Sequence, residues 1–253
     1  MEVQILILSH KRAGRVTTHR HVSNAQICIP ESQAASYRQH HLDETLVMHP
    51  DSVVGLPAKR QWVYEKFGDV MMLDDDSMGL LRIYRKANSL RKALCSADHC
   101  YEIIQRTAAT ARDMGVYLFG FGSHANPVTY NPFKPFRMGG YSPGGAMGML
   151  AGSKLWFPTD TTLPLDDYWI CLLNAYYHRF AFYDSRFAFG FRETYTGQGG
   201  MSEFRQDDAE QQATDYLKKW FGDAVVKKRG RPSVTKVQRN RGGRSITIPW
   251  LVQ

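Results

Sequence analysis

Four short apolar runs near the start of the chain, each broken off by a polar loop, constrain its fold more than any other feature. Residues 3–8 run into Ser9-His10-Lys11-Arg12, residues 26–29 end at Pro30-Glu31, residues 45–48 end at His49-Pro50-Asp51, and residues 70–73 end at Asp74-Asp75-Asp76. Runs of this length suit strands buried on both faces. The stretches between them, among them residues 34–41 and 59–67, are long enough for crossover helices. Strands alternating with helices make a mixed, mostly parallel sheet flanked by helices, an α/β fold of Rossmann type. Loops at the carboxyl ends of such strands gather on one edge, where ligands bind.

The fourth run carries the most chemistry. Three consecutive carboxylates at a strand end offer oxygen ligands to a hard divalent cation, and Mg²⁺ typically takes one or two protein carboxylates together with substrate phosphates. Asp is also common in plain turns, so the meaning of this cluster depends on the other loops of the same edge. Those loops bring Ser9, Lys11 and Arg12 after the first run and Glu31 after the second. Arg60 lies on the helix that precedes the acidic run.

Further along, apolar residues recur at Leu90, Ala93, Leu94, Ala97, Tyr101, Ile104 and Ala108, which predicts a helix over residues 88–114 capped by Asn88 or Ser89 and ended by Gly115. A second helix is predicted over residues 208–221, closed by Gly222. Residues 115–121 read as a central strand, followed by a loop over residues 123–137 with three prolines that would border an acceptor cleft. His124 and Asn126 in that loop read either as substrate contacts or as ordinary loop residues. Asp166 and Asp167 precede an apolar helical run, where they read as the N-cap of that helix or as a catalytic acid, one capping while the other acts. The Gly-rich residues 194–201 read as a mobile lid or as a plain surface loop. Most of the dense aromatics between Tyr176 and Phe191 belong to the core on this reading, with one or two left to stack on a base. Cys28, Cys95, Cys100 and Cys171 lack metal-type spacing and read as reduced core residues.

Ser9-His10-Lys11-Arg12, Glu31, Lys59-Arg60-Gln61-Trp62 and Leu73-Asp74-Asp75-Asp76 together resemble the nucleotide-sugar half of a GT-A glycosyltransferase. The stretch from Gly139 to Gly152, followed by Asp166-Asp167, resembles that family's acceptor half. More narrowly, the combination resembles the phage TET-associated glycosyltransferases, which decorate modified DNA bases. The resemblance extends over about residues 3 to 205 and implies a GT-A-like fold. It further implies that Ser9, Lys11, Arg12, Glu31, Arg60, Asp74 and Asp75 bind the donor, with Asp75 facing its ribose or sugar. Asp74 and Asp76 would hold Mn²⁺ or Mg²⁺, and Asp166 or Asp167 would act as general base. The Arg-Gln-x-x-Arg-Trp motif of processive relatives is absent, which argues against polysaccharide synthesis.

Charge adds a partner. The chain has 32 Lys and Arg against 24 Asp and Glu, and the last 27 residues contain Lys227, Lys228, Arg229, Arg231, Lys236, Arg239, Arg241 and Arg244 with no acid. Without that tail the count balances at 24 each, so the whole excess sits in one segment. Such a segment is the footprint of a polyanion binder. Lys228-Arg229-Gly230-Arg231-Pro232 resembles an AT-hook, whose Arg-Gly-Arg core enters the narrow minor groove of A·T-rich DNA. A solvated terminus is the alternative. The apolar residues 245–252 suggest that the chain end docks back on the body, leaving a basic loop clamped at both ends.

The expected organisation is a transferase domain over residues 1–222, with a nucleotide-sugar half to residue 115 and an acceptor half from 116, followed by a basic segment over 223–253. No apolar run approaches the roughly 20 residues of a membrane span, and no leader-like segment opens the chain, so a cytoplasmic location is expected. The expected activity is transfer of a sugar, most simply from a UDP-sugar, to a hydroxymethylated pyrimidine in double-stranded DNA. Two alternatives are transfer to a glycan or protein, and a catalytically silent DNA-binding module.

Overall fold

The computed structural model describes residues 2–41, 46–84, 93–191, 209–227 and 244–246. Its strands are β1 (Gln4–Leu8), β2 (Ala25–Pro30), β3 (Leu46–His49), β4 (Val70–Asp74), β5 (Ser77–Arg82), β6 (Leu118–Phe121), β7 (Phe136–Arg137), β8 (Ala146–Met149), β9 (Phe182–Asp184), β10 (Phe187–Phe191), β11 (Val225–Lys227) and β12 (Arg244–Ile246). Its helices are α1 (Ala34–Arg38), α2 (Leu56–Phe67), α3 (Ala97–Asp113), α4 (Asp166–Tyr177) and α5 (Ala209–Phe221).

Eight strands form one sheet in the order β3-β2-β1-β4-β8-β6-β9-β7. The pairings among β3, β2, β1 and β4 are parallel, as is β6 with β9, whereas β8 runs antiparallel to both β4 and β6 and β7 runs antiparallel to β9. The sheet is therefore mixed and mostly parallel, as the alternating pattern of the first 75 residues implies. Because β8 opposes both of its neighbours, β6 points the same way as β1 and β4, and its carboxyl end lies on the same edge. The sheet crosses the expected division near residue 115 without a break, since β4 pairs with β8.

Strand alternation sorts the apolar residues into two layers. Ile5, Ile7, Ile27, Ile29, Met71 and Leu73 pack in one cluster with Cys100, Ile104 and Ala108 of α3. Leu6, Leu8, Cys28, Val70 and Met72 pack in the other with Val63 of α2, Trp169 and Ile170 of α4, and Ala213 and Leu217 of α5. All four cysteines are buried and free.

Several predicted boundaries move. α3 begins at Ala97, where Ser96 accepts the His99 N–H; the expected start and its caps Asn88 and Ser89 lie outside the described residues. Leu94 instead bridges Leu81, and Cys95 N donates to Leu80 O at 2.8 Å, because the edge of β5 offers this segment backbone partners. α2 starts three residues earlier than read, with Pro57 in its first turn. α1 closes after five residues. Gly222, at φ +55°, follows α5 as read. Six strands went unread: β5, β7, β8, β9, β10 and β11. Of the aromatics assigned to the core, Phe182, Tyr183, Phe187 and Phe189 are buried while Tyr176, Tyr177 and Phe180 are exposed.

β11 and β12 pair antiparallel, tying the two ends of the basic segment together. The Gly-rich residues 194–201 and the candidate DNA contacts Lys228, Arg229, Arg231, Lys236, Arg239 and Arg241 lie outside the described residues; Arg244 opens β12. Among the described residues no helix is long and apolar enough to cross a membrane.

Candidate active site

The strand order reverses between β1 and β4, because the chain steps from β1 outward through β2 and β3 before returning to β4 on the other side. In open α/β sheets the crevice beyond the carboxyl ends at such a point is where ligands bind. Here the two bordering loops are those carrying Ser9, Lys11 and Arg12 and those carrying Asp74 to Asp76.

Asp75 joins them. Its Oδ2 accepts a 2.6 Å hydrogen bond from Ser9 Oγ, and its Oδ1 accepts one of 2.9 Å from Arg12 Nη1. Ser9 Oγ also meets the Tyr37 hydroxyl at 2.6 Å, and Tyr37 receives the Arg12 backbone N–H at 3.1 Å. From beneath, Lys59 Nζ donates to Ser9 O at 2.7 Å, with burial holding this amine down to about 8. Asp75 is 4% exposed, and its two oxygens are engaged by Ser9 and Arg12 of the β1 loop. Its ion pair with Arg12 ties the two loops together.

Asp74 occupies the open side. Its side chain keeps 42% of its surface. Desolvation pushes it up to about 7; Arg60 opposes this, and the charges of Asp76, Asp75 and Asp166 add to it.

Arg60 links this carboxylate to the acceptor half. Its Nε lies 2.7 Å from Asp166 Oδ2, in an ion pair without hydrogen-bond alignment. Its Nη2 donates to Gly144 O and lies 3.8 Å from Asp74 Oδ1. Arg60 was expected to reach the donor as a fixed cation, but it is fully buried and holds the site's framework. Nη1 finds no hydrogen-bond partner among the described residues.

The Gly144-Gly145 turn threads between the acidic groups. An added Cβ on Gly145 would lie 2.6 Å from the Phe191 ring and 3.1 Å from Asp74 Oδ2, and one on Gly144 would lie 3.3 Å from Asp167 Cβ. Glycine is required there by crowding. Asp166 and Asp167 occupy the first turn of α4. Asp166 is buried against Arg60, whereas Asp167 is half-buried and accepts hydrogen bonds from the Tyr141 hydroxyl and the Tyr168 N–H. The Asp167 charge and burial push the Tyr141 hydroxyl well up, which keeps it a donor.

A family model for the TET-Associated Glycosyltransferase matches residues 3–200. The chain belongs to this family. It is a glycosyltransferase, and the matched region contains every candidate residue named so far except those of the basic tail. No curated protein matches it.

On the outer side of the transferase's crevice, Lys11, Arg12, Ala13, Gly14, Arg15, Gln33, Ser36, Tyr37 and His40 line a cavity of about 400 Å³. Lys11 adopts φ +52°, and its N–H is held by Gln33 Oε1 at 2.8 Å. Glu31 is exposed at the end of β2. The structure thus gathers Ser9, Lys11, Arg12, Arg60, Asp74, Asp75, Asp76, Asp166 and Asp167 along one edge.

Among the described residues no group of three or more His, Cys, Asp or Glu side chains is placed to hold a metal ion. Crowding of like charges around Asp74 is relieved by a bound cation.

Sequence reasoning missed Tyr37, Lys59, Tyr141 and the two glycines at 144 and 145. Tyr37 sits in unremarkable helical text and Lys59 reads only as a neighbour of Arg60; the fold brings both under the β1 loop. The Gly-rich stretch from 139 to 152 was the single visible signal for the turn.

Proposed function

We propose that this transferase moves a sugar from a UDP-sugar to the hydroxymethyl oxygen of a modified pyrimidine in double-stranded DNA. Asp74 and Asp76 would hold Mn²⁺ or Mg²⁺. The reading rests chiefly on one observation: an accessible carboxylate at the sheet's switch point lies beside a buried Arg60 that also pairs with Asp166 at the start of α4. Lys11 and Arg12 would border the nucleotide, and the cavity beneath them has room for its base and ribose. The cation, when bound, neutralises charge on the departing diphosphate.

The chain's own residues divide the remaining work. Asp167 is the better placed base of the pair, because Asp166 is sealed against Arg60 while Asp167 is half-buried beside the glycine turn. As the acceptor oxygen bonds to the anomeric carbon, its proton passes to Asp167, and the electron pair of the old glycosidic bond leaves with the diphosphate. Tyr141 fixes the orientation of that carboxylate. The basic tail, with Lys228, Arg229, Arg231, Lys236, Arg239, Arg241 and Arg244, would retain the polymer by salt-sensitive contacts.

Nucleoside mass spectrometry tests this directly, after incubation with hydroxymethylated DNA, a divalent metal and a panel of sugar donors. A mass gain of one sugar on the modified base is expected. A gain on glycan or protein acceptors only would overturn the acceptor assignment.

A further inference from the structure

The loop between β6 and β7 holds the two most exposed large apolar side chains among the described residues: Val128 is 89% exposed and Phe133 92%. The loop holds them out on a stiff frame. Asn126 Oδ1 accepts the Val128 N–H at 3.0 Å, Asn131 Oδ1 accepts the Phe133 N–H at 2.9 Å, and Lys134 N donates to Asn131 O at 3.0 Å. Pro127, Pro132 and Pro135 restrict the backbone between these turns. Ser185 N donates to Pro135 O at 2.8 Å, and Arg137 lies over the Tyr183 ring at 4.7 Å, so the base of the loop is bolted to β9.

Position and charge say what the loop faces. It rises from the carboxyl end of β6, the edge that also carries Asp74. Residues 114–159 contain no Asp or Glu, and Lys134 and Arg137 follow Phe133 in the same loop and strand. An apolar tip set among cations suits a polyanion with an apolar interior, which describes a stacked DNA duplex.

We infer that Phe133, supported by Val128, is a wedge that enters the base stack and opens the duplex beside the acceptor base. The inference rests on the DNA acceptor reading above. A base inside a duplex cannot bring its hydroxymethyl group into a recessed cleft, so the stack must be broken, and inserted apolar side chains do this in other architectures. The tip supplies the wedge, and the neighbouring cations compensate the phosphates it displaces.

The test uses the full chain and a short duplex with one hydroxymethylcytosine beside 2-aminopurine, without donor. Wild type is expected to raise 2-aminopurine fluorescence on binding, as the neighbour unstacks, and Phe133→Ala to bind without that rise. In transfer assays, Phe133→Ala is expected to lower the ratio of duplex to single-strand rate by roughly tenfold or more, while Phe133→Leu restores most of it. An unchanged ratio, an equal loss on both substrates, or a Phe133-dependent attachment to lipid vesicles in place of DNA would overturn the wedge. Failure of wild type to modify DNA in any form would instead overturn the acceptor reading itself.

Discussion

Replacing Arg60 with Met isolates the interaction that ties the two halves of the site together. Arg60 and Asp166 are 2.7 Å apart with side-chain exposures of 1% and 8%, so the variant strands a buried carboxylate against an apolar neighbour. Removing one partner of a buried pair costs about 3–5 kcal/mol, because the remaining charge has lost both water and its counter-ion. The loss of the bond to Gly144 O adds to this. For a chain of this size a midpoint fall of roughly 6–20 °C follows. Removing both charges, as in Arg60→Met with Asp166→Leu, recovers most of the loss, since an apolar pair of similar volume is close to neutral. Urea unfolding of the four proteins in the double-mutant cycle gives the coupling, with constant m-values as the check that one transition is being compared. A single-variant cost below about 1 kcal/mol, or a double variant whose cost equals the sum of the singles, would refute the account of Arg60 as a buried tie.

Other outcomes follow from the same geometry. In the absence of divalent metal, Asp74 at about 7 retains a proton that the unfolded chain has lost above about pH 4, so stability falls as pH rises from about 4 to 7. Asp74→Asn should therefore raise the urea midpoint at pH 8, with an advantage that shrinks as pH falls through that window, and should lose transfer and the thermal shift given by Mn²⁺ with UDP; a less stable Asn variant at pH 8 contradicts this. Gly145→Ala meets Phe191 and Asp74 and should cost about 1–3 kcal/mol by overpacking, with a fall in kcat larger than the stability loss alone explains. Ser9→Ala leaves Asp75 short of a donor in a buried position and should cost about 1–3 kcal/mol, raising KM for the donor through a loosened Arg12.

The first four strands and their carboxyl-end loops were legible because each is local: an apolar run, a polar stop, and a connection long enough to cross over. Asp74 and Asp166 were likewise visible as candidates. Their meaning was not. Asp75 is chemically identical to its neighbours in the text, yet a half-turn of strand geometry sends it under the β1 loop while Asp74 opens to the cleft. Arg60 was picked out as a cation for the ligand, but burial makes it a brace. The start of α3 was misplaced because the apolar spacing from Leu90 to Ala97 fits a helix, whereas backbone partners on β5 take Leu94 and Cys95.

Sequence alone determined that the chain is an α/β protein with an acidic strand end and a basic tail, since these depend on residue order and composition over a few neighbours. Tertiary structure decided which carboxylate is accessible, which cation is spent on holding the frame, and that Lys59, Tyr37 and Tyr141 belong to the site. Those choices turn on burial and on contacts between residues as far apart as Arg60 and Asp166, which no local pattern encodes.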